Sequence, residues 1–182
     1  MRRIIFVGGI HGVGKTWVCQ RLESTMSISH FTDSQLIRKL KDEKPNNTDK
    51  SVKNINSNQD ILLNAIEKYI HPDRLTLLDG HFCLLNSDHE VERIPMETFK
   101  RIAPCTIIVL FDTIKNISKR ISGRDGISYD YDFLSYFQDK EIKYANKIAE
   151  HSGVPYLKFD VAEGVDSMVN FIDKLQLGKD KK

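Results

Sequence analysis

Short apolar runs alternate along the chain with segments in which apolar residues recur at helical spacing. This alternation predicts a parallel sheet covered by helices. The expected strands are residues 3–8, 27–31, 75–79, 105–111 and 155–160. The expected helices are residues 14–24, 34–43, 59–70, 113–122, 132–151 and 164–176. The pattern indicates the α/β class, with a three-layer α/β/α sandwich around a five-stranded parallel sheet.

Two polar stretches interrupt the alternation. Residues 41–60 carry no apolar stripe, so we expect a mobile segment there, and residues 86–100 are expected to be partly irregular. Both follow positions at which α/β proteins place their ligand loops. We find no internal repeat and no domain boundary. A single domain over residues 1–177 is therefore expected, followed by a flexible tail at residues 178–182.

A glycine-rich segment, GGIHGVGKTW at residues 8–17, directly follows the first expected strand. It contains the spacing G-x-x-x-x-G-K-[ST], and a helical pattern comes next, as a phosphate-binding loop requires. Bare backbone lets successive N–H groups converge on phosphate oxygens. We expect ATP as the ligand, with the lysine on its β- and γ-phosphates and the threonine hydroxyl on Mg²⁺. The expected nucleotide-binding residues are Gly9, Gly12, Val13, Gly14, Lys15, Thr16 and Trp17.

Charged residues at two further places suit phosphoryl transfer. Asp79 ends an apolar strand, where an acid organises Mg²⁺, here through water. The alternative for Asp79 is an ordinary turn aspartate before Gly80. Arg120 and Arg124 are four positions apart and share a helix face, from which two guanidinium groups would neutralise charge that develops during transfer. The alternative for this pair is a solvated surface.

A second group of residues suits the acceptor of the phosphoryl group. Asp33, Ser34 and Arg38 follow the second expected strand and therefore lie at the same sheet edge as Asp79. His81 comes just after Asp79 and faces either the nucleotide or the strand end. The alternative for the first three is an ordinary helix start, with a cap at position 32 or 33 and a surface arginine.

Composition limits the classes of partner. The 182 residues carry a formal charge of +2, which is too small for a dedicated nucleic-acid binder. The three cysteines form no CxxC or Cys/His pattern, so neither a disulfide framework nor a zinc site is indicated. No apolar stretch approaches the ~20 residues of a membrane span. We expect a cytoplasmic protein that has no membrane partner and does not bind nucleic acid directly.

Together these motifs resemble the P-loop nucleoside and nucleotide kinases, in particular archaeal-type adenylate kinases and related adenylate-kinase-like ribosome assembly factors. LLDGHF (77–82) resembles the Asp-x-His step after the third strand of that family, and KRISGRD (119–125) resembles its pair of lid arginines. The resemblance implies a P-loop NTPase fold with strand order 2-3-1-4-5 and a short lid at about 120–132. It also implies that Arg38 binds the phosphate of a nucleoside monophosphate acceptor.

The acceptor segment leaves other functions open. HFTDS (30–34) also resembles the acceptor segment of shikimate-kinase-like enzymes, in which the aspartate meets a substrate hydroxyl. We therefore expect ATP-dependent phosphoryl transfer to a small acceptor, first a nucleoside monophosphate. The alternatives are a small-molecule hydroxyl kinase that uses Asp33 as its base, and an ATPase switch that acts on a protein or ribonucleoprotein partner.

Overall fold

The computed structural model describes residues 3–43, 55–126 and 128–177. Its strands are β1 (Arg3–Gly8), β2 (Ser29–Thr32), β3 (Leu75–Asp79), β4 (Cys83–Leu85), β5 (Val91–Arg93), β6 (Thr106–Phe111) and β7 (Tyr156–Asp160). Its α-helices are α1 (Lys15–Thr25), α2 (Asp33–Asp42), α3 (Ile55–Tyr69), α4 (Met96–Ile102), α5 (Ile114–Asp125), α6 (Tyr131–Ser152) and α7 (Asp166–Leu177). A short 3₁₀ helix, Val161–Glu163, follows β7.

Five parallel strands form the main sheet, in the order β2-β3-β1-β6-β7. Strands β4 and β5 pair with each other as a separate antiparallel hairpin. When the hairpin strands are left out of the numbering, the order is 2-3-1-4-5. The predicted α/β class and its parallel sheet are confirmed.

Burial of the central strands explains the continuous apolar runs. Every residue of β3 is buried, as are all but the first of β1, because other layers cover both faces of the sheet. Phe6 of β1 packs against Phe82 and Phe99, with ring centroids 5.0 and 5.3 Å apart. A Cβ at Gly8 would lie only 2.2 Å from the Phe82 ring, so glycine is required there by close approach. This aromatic cluster holds the segment after Asp79 against the strand that precedes the glycine loop.

The sequence offered positions 32 and 33 as the cap of α2, and the structure uses position 32. Thr32 is the N-cap: its hydroxyl accepts from Gln35 N at 3.1 Å, and the Gln35 side chain accepts from Thr32 N at 3.3 Å. This reciprocal pair is a capping box. Asp33 is therefore not the cap, and its carboxyl group is free for another role.

The two interrupting stretches contain more regular structure than predicted. Residues 86–100 include β5 and most of α4, because tertiary contacts hold the short hairpin: Ile94 N donates to Phe82 O at 2.9 Å, and Tyr144 Oη donates to Ile94 O at 2.7 Å. In the other stretch α2 ends at Asp42 and α3 begins at Ile55, while residues 44–54 lie outside the described part.

The chain between α5 and α6 is short, because α5 ends at Asp125 and α6 begins at Tyr131; the lid at about 120–132 stays a prediction. Gly126 ends α5 in the left-handed conformation, and Asp130 caps α6 through hydrogen bonds from Asp132 N and Phe133 N. Residue 127 and the expected tail at 178–182 lie outside the described residues. Among the helices that the structure describes, none is long and apolar enough to cross a membrane.

Candidate active site

The glycine loop connects β1 to α1 at the carboxyl edge of the sheet. Gly9, Gly12 and Gly14 have φ values of 150°, 77° and 105°, which side chains would disfavour. Gly14 is the N-cap of α1 and no side chain caps that helix end. The first N–H groups of α1 are thus left for an anion, as a phosphate site at a helix N-terminus requires.

Lys15 lies buried beneath this loop. Its Nζ donates to Gly9 O at 2.7 Å and to Ile10 O at 3.3 Å, and it lies 3.1 Å from His81 Nε2. Burial lowers the pKa of His81 well below its usual value, with the Lys15 charge acting in the same direction. The imidazole is therefore neutral, and its Nε2 accepts from the lysine. Lys15 is held by partners that a phosphate group would replace.

His11, within the loop, packs against the His81 ring at a centroid distance of 4.4 Å. Burial, together with the nearby Lys15 charge, lowers the pKa of His11 to about 4. Both imidazoles are thus neutral at pH 7, so this part of the loop adds polar surface without adding positive charge.

Thr16 and Asp79 form the expected metal-binding pair. The Thr16 hydroxyl donates to Asp79 Oδ2 at 2.9 Å, and Asp79 is only 5 % exposed. Hydroxyl and carboxylate oxygens are the hard ligands that Mg²⁺ prefers, so the residues present fit this ion. Thr16 would hold it directly, and Asp79 through water.

Two softer ligands also lie near Asp79. The ligand atoms of Cys19, His30 and Asp79 all lie within 4.8 Å of one another. Burial raises the pKa of the Cys19 thiol well above its usual value, so the thiol is protonated in the metal-free protein, and sulfur is in any case a softer ligand than Mg²⁺ prefers. Among these groups, the oxygen pair of Thr16 and Asp79 is the one whose chemistry fits Mg²⁺.

The two arginines of α5 have different surroundings. Arg120 donates to Gly12 O at 3.1 Å and Val13 O at 3.2 Å, and pairs with Asp112 Oδ2 at 2.6 Å. Arg120 therefore ties α5 to the glycine loop. Arg124 forms two 2.7 Å hydrogen bonds with its neighbour Asp125. Both arginines are exposed and line the same cavity, so their role in phosphoryl transfer stays a prediction.

Asp33 lies at the neighbouring strand end with its carboxyl group buried. Its Oδ1 is buried and has no hydrogen-bond partner among the described residues. A Cβ added to Gly80 would lie 2.1 Å from Asp33 Oδ2, so the carboxyl group packs directly on that glycine. Burial and, to a smaller extent, the negative charge of Asp79 raise the pKa of Asp33 to about 8 against the opposing effect of Lys15. This carboxyl group has the proton affinity of a general base near neutral pH.

A single cavity of about 660 Å³ joins these groups. We call the part formed by the glycine loop and α5 the donor end; it is lined by His11, Gly12, Gly14, Lys15, Thr16, Trp17, Arg120 and Arg124. We call the opposite part the acceptor end; it is lined by Thr32, Asp33, Ser34, Ile37, Asn58, Gln59, Leu62, Leu84 and Ile94. The remaining lining residues, between the two ends, are Asp79, Gly80 and His81.

Three of the expected site residues lie outside this lining. Arg38 is exposed on α2, and the geometry gives it no contact with the cavity. Gly9 and Val13 are buried beneath the loop, where Gly9 N donates to a side chain of α6 and Val13 O accepts from Arg120. The other expected residues, including Trp17 and Ser34, line the cavity.

Glu141 of α6 is a residue that the sequence did not single out. It is 1 % exposed, and its carboxylate accepts from Gly9 N at 3.1 Å, Phe82 N at 2.9 Å and Cys83 N at 2.6 Å. Burial raises its pKa to about 7, while the three backbone donors and Lys15 favour the ionised form. Glu141 thus fixes the base of the glycine loop to the segment after Asp79. Its only sequence signal was a charged residue at an inward position of an amphipathic helix.

Residues 8–134 match a family model described as an AAA domain, which spans more than half of the chain. The chain belongs to this P-loop kinase-like family. It is accordingly a nucleotide-binding phosphotransferase in the general sense, and the P-loop kinase part of the sequence resemblance is confirmed. An adenylate-kinase-like specificity stays a prediction. The chain has no match among curated proteins.

Two crystal structures share the fold. One is an uncharacterized protein from Eubacterium ventriosum ATCC 27560, with 16% identity, a TM-score of 0.53, and coverage of 96% of this chain and 99% of that one. The other is a gluconokinase from Sinorhizobium meliloti 1021, with 14% identity, a TM-score of 0.51, and coverage of 93% and 87%. At these identities the similarity shows the fold alone.

Proposed function

We propose that the protein transfers the γ-phosphoryl group of ATP to a hydroxyl group of a small acceptor, and that Asp33 receives the hydroxyl proton. The observation that carries this proposal is the buried Asp33 carboxyl group, which lines the cavity and has an unpartnered oxygen. In the transfer, the acceptor oxygen forms a bond to the γ-phosphorus while the bond from that phosphorus to the bridging oxygen of ADP breaks. The proton passes to Asp33.

The chemistry of the acceptor explains why a carboxylate is needed. A hydroxyl group is a weak nucleophile at neutral pH, so a base that takes its proton assists the reaction. A phosphate acceptor is already an anion and gains nothing from a base. An unpaired carboxylate would also repel it. The pKa of Asp33, raised by burial to about 8, lies close to the value that suits a base at neutral pH.

The donor end supplies charge and position. Lys15 would exchange its carbonyl and imidazole partners for phosphate oxygens, and Arg120 would hold the loop while its guanidinium faces the cavity. Arg124 would reach the transferring group from the same helix. Mg²⁺ bound with ATP would neutralise phosphate charge, and Thr16 and Asp79 are the residues to hold it. Catalysis here rests on positioning and electrostatics.

The nucleoside monophosphate acceptor has less support than the hydroxyl acceptor. That prediction relied on Arg38 at the acceptor phosphate, and Arg38 is exposed on α2 outside the cavity lining. A helix cap does not account for Asp33 either, because Thr32 fills that role. The buried carboxyl group is then left without a function under the monophosphate alternative.

A coupled assay of ADP release, run over hydroxylated metabolites and nucleoside monophosphates, tests the proposal. With the best hydroxyl acceptor, Asp33→Asn should lower kcat by about 10²-fold or more, because the base is lost. Arg38→Ala should keep nearly full activity. The reverse result, with a monophosphate KM raised in Arg38→Ala and an active Asp33→Asn enzyme, would establish the nucleotide kinase. ADP release that ignores every acceptor would establish an ATPase.

A further inference from the structure

The acceptor end holds two buried polar groups that lack partners. Gln59 of α3 is 8 % exposed, and its Oε1 has no hydrogen-bond partner among the described residues. Asp33 Oδ1, on α2, is also buried and also has no hydrogen-bond partner among the described residues. Both side chains line the cavity. A buried polar group without a partner costs free energy, so the pair is suited to a ligand that supplies the missing hydrogen bonds.

The unpartnered atoms define the chemistry of that ligand. When Asp33 is ionised, as its role as the base requires, its carboxylate oxygen and the Gln59 amide oxygen are both acceptors, so a ligand that satisfies both must carry at least two donor groups. Two hydroxyl groups of one ligand would supply these donors. Carboxylate and phosphate groups carry no donor at pH 7 and would be repelled by Asp33 and Asp79.

Among the described lining residues, positive charge lies at the donor end. Within the described part of the chain, the lysine and arginine side chains that line the cavity are Lys15, Arg120 and Arg124, from the glycine loop and α5. The acceptor end has none among its lining residues. Lys41 donates to Asn58 Oδ1 at 3.5 Å but does not itself line the cavity. Among the described residues, an anionic acceptor would therefore meet no cation that lines this end.

Apolar side chains complete the acceptor end. Ile37, Leu62, Leu84 and Ile94 line it beside the two polar groups. A compact carbon skeleton with hydroxyl groups on one side matches such a surface, since its C–H face packs on the aliphatic side chains while its hydroxyls reach the polar atoms. Sugars, sugar alcohols and nucleosides have this character.

We infer that the acceptor is an uncharged polyhydroxylated molecule, and that Gln59 determines its selection by accepting from a second hydroxyl while Asp33 engages the hydroxyl that is phosphorylated. This inference rests on the proposed function. Gln59 is a specificity residue that binds the acceptor and takes no part in proton transfer. Its loss therefore acts on acceptor binding, whereas the loss of Asp33 acts on the chemical step.

Matched acceptors test the charge preference on the unmodified protein. The panel compares glucose with gluconate and glucose 6-phosphate, and adenosine with AMP, by acceptor-dependent ADP release. The uncharged member of at least one set should have a kcat/KM about 10-fold or more above its charged partners. If a charged member has the highest kcat/KM in every set that shows acceptor-dependent ADP release, the inference is overturned while the proposed function stays in place.

The Gln59→Leu variant tests the specificity residue, with Asn64→Leu as its control on an exposed position of the same helix. For the best uncharged acceptor, Gln59→Leu should raise KM by about 10-fold and leave the KM for ATP unchanged. An unchanged acceptor KM would overturn the role of Gln59. If no member of the panel raises ADP release above the acceptor-free rate, the proposed function fails, and the inference fails with it.

Discussion

The two ends of the cavity satisfy their polar groups in different ways. At the donor end, Lys15 has three partners, Thr16 bonds to Asp79, and Arg120 bonds to two carbonyls and a carboxylate. At the acceptor end, one oxygen of Asp33 and one of Gln59 are buried without partners among the described residues. One end is held together by contacts within the chain, and the other lacks contacts that a ligand would provide.

Under the proposed function, this difference reflects what each end binds. A triphosphate brings strong charge, so internal partners that are released on binding keep the donor groups ordered at little cost. A small uncharged acceptor brings only hydroxyl groups, and its recognition depends on leaving polar atoms unsatisfied until it arrives. Such atoms lower the stability of the empty protein, which is a common property of functional sites.

The largest effect is expected at the donor end. Lys15→Ala should reduce phosphoryl transfer by about 10³-fold or more, because no other side chain of the loop places positive charge on the β- and γ-phosphates. The exposed Lys119→Ala variant serves as the control and should keep its activity. Steady-state kinetics with circular dichroism separates loss of function from loss of fold. A folded Lys15→Ala enzyme with near-normal turnover would contradict the donor assignment.

A smaller effect on turnover is expected from a substitution of Glu141, which connects the glycine loop to the segment after Asp79. Glu141→Gln replaces one carboxylate oxygen by an N–H group, which would oppose the backbone donors of Gly9 and Phe82 or of Cys83. We expect a loss of stability of about 1–3 kcal/mol. Because the loop and the segment after Asp79 would then be less precisely placed, kcat should fall by about 10-fold.

The control for that variant is Glu150→Gln, on the exposed face of the same helix, where the amide oxygen still accepts from Asn146 Nδ2. Thermal unfolding and kcat, measured on both variants, distinguish the loss of the Glu141 hydrogen bonds from a general effect of removing a charge from α6. Equal stabilities and equal turnover for the two variants would show that Glu141 does not position the site.

Much of the donor end was predictable because its residues are contiguous. The spacing of Gly14, Lys15 and Thr16 after an apolar strand is a local signal, and the alternation of apolar runs places Asp79 at the neighbouring strand end. Both predictions depend on patterns among neighbouring residues, and the folded protein keeps the local structure that these patterns predict. The sheet order followed from the resemblance to a known family.

The acceptor end depends on contacts between distant parts of the chain. Gln59 and Asp33 belong to different helices, and nothing in their sequence neighbourhoods shows that each leaves an oxygen unpartnered. Glu141 is 132 positions from Gly9 along the chain, yet it binds the base of the loop. Thr32 caps the helix instead of Asp33, because Thr32 and Gln35 form a reciprocal pair of hydrogen bonds. Tertiary packing decides such roles.

The Asp33 carboxyl group links stability to pH in a definite direction. Its pKa rises from 3.8 to about 8 on folding, because burial and the Asp79 charge disfavour the ionised form. Its contribution to stability is therefore fully present below pH 4 and is lost as the pH rises to about 8. An asparagine at this position has similar shape and does not titrate, so Asp33→Asn should lack that loss.

The most direct measurement is the melting temperature of the ligand-free wild-type protein and of Asp33→Asn between pH 4 and pH 9, with the exposed Asp139→Asn variant as control. The wild type and Asp33→Asn should have the same melting temperature near pH 4. Above pH 8, Asp33→Asn should melt higher by at least about 4 °C, since 1 kcal/mol corresponds to about 2–4 °C in a domain of this size. An Asp33→Asn protein that melts below the wild type at every pH would contradict this, because Asp33 would then stabilise the fold instead of being held unpaired for the acceptor.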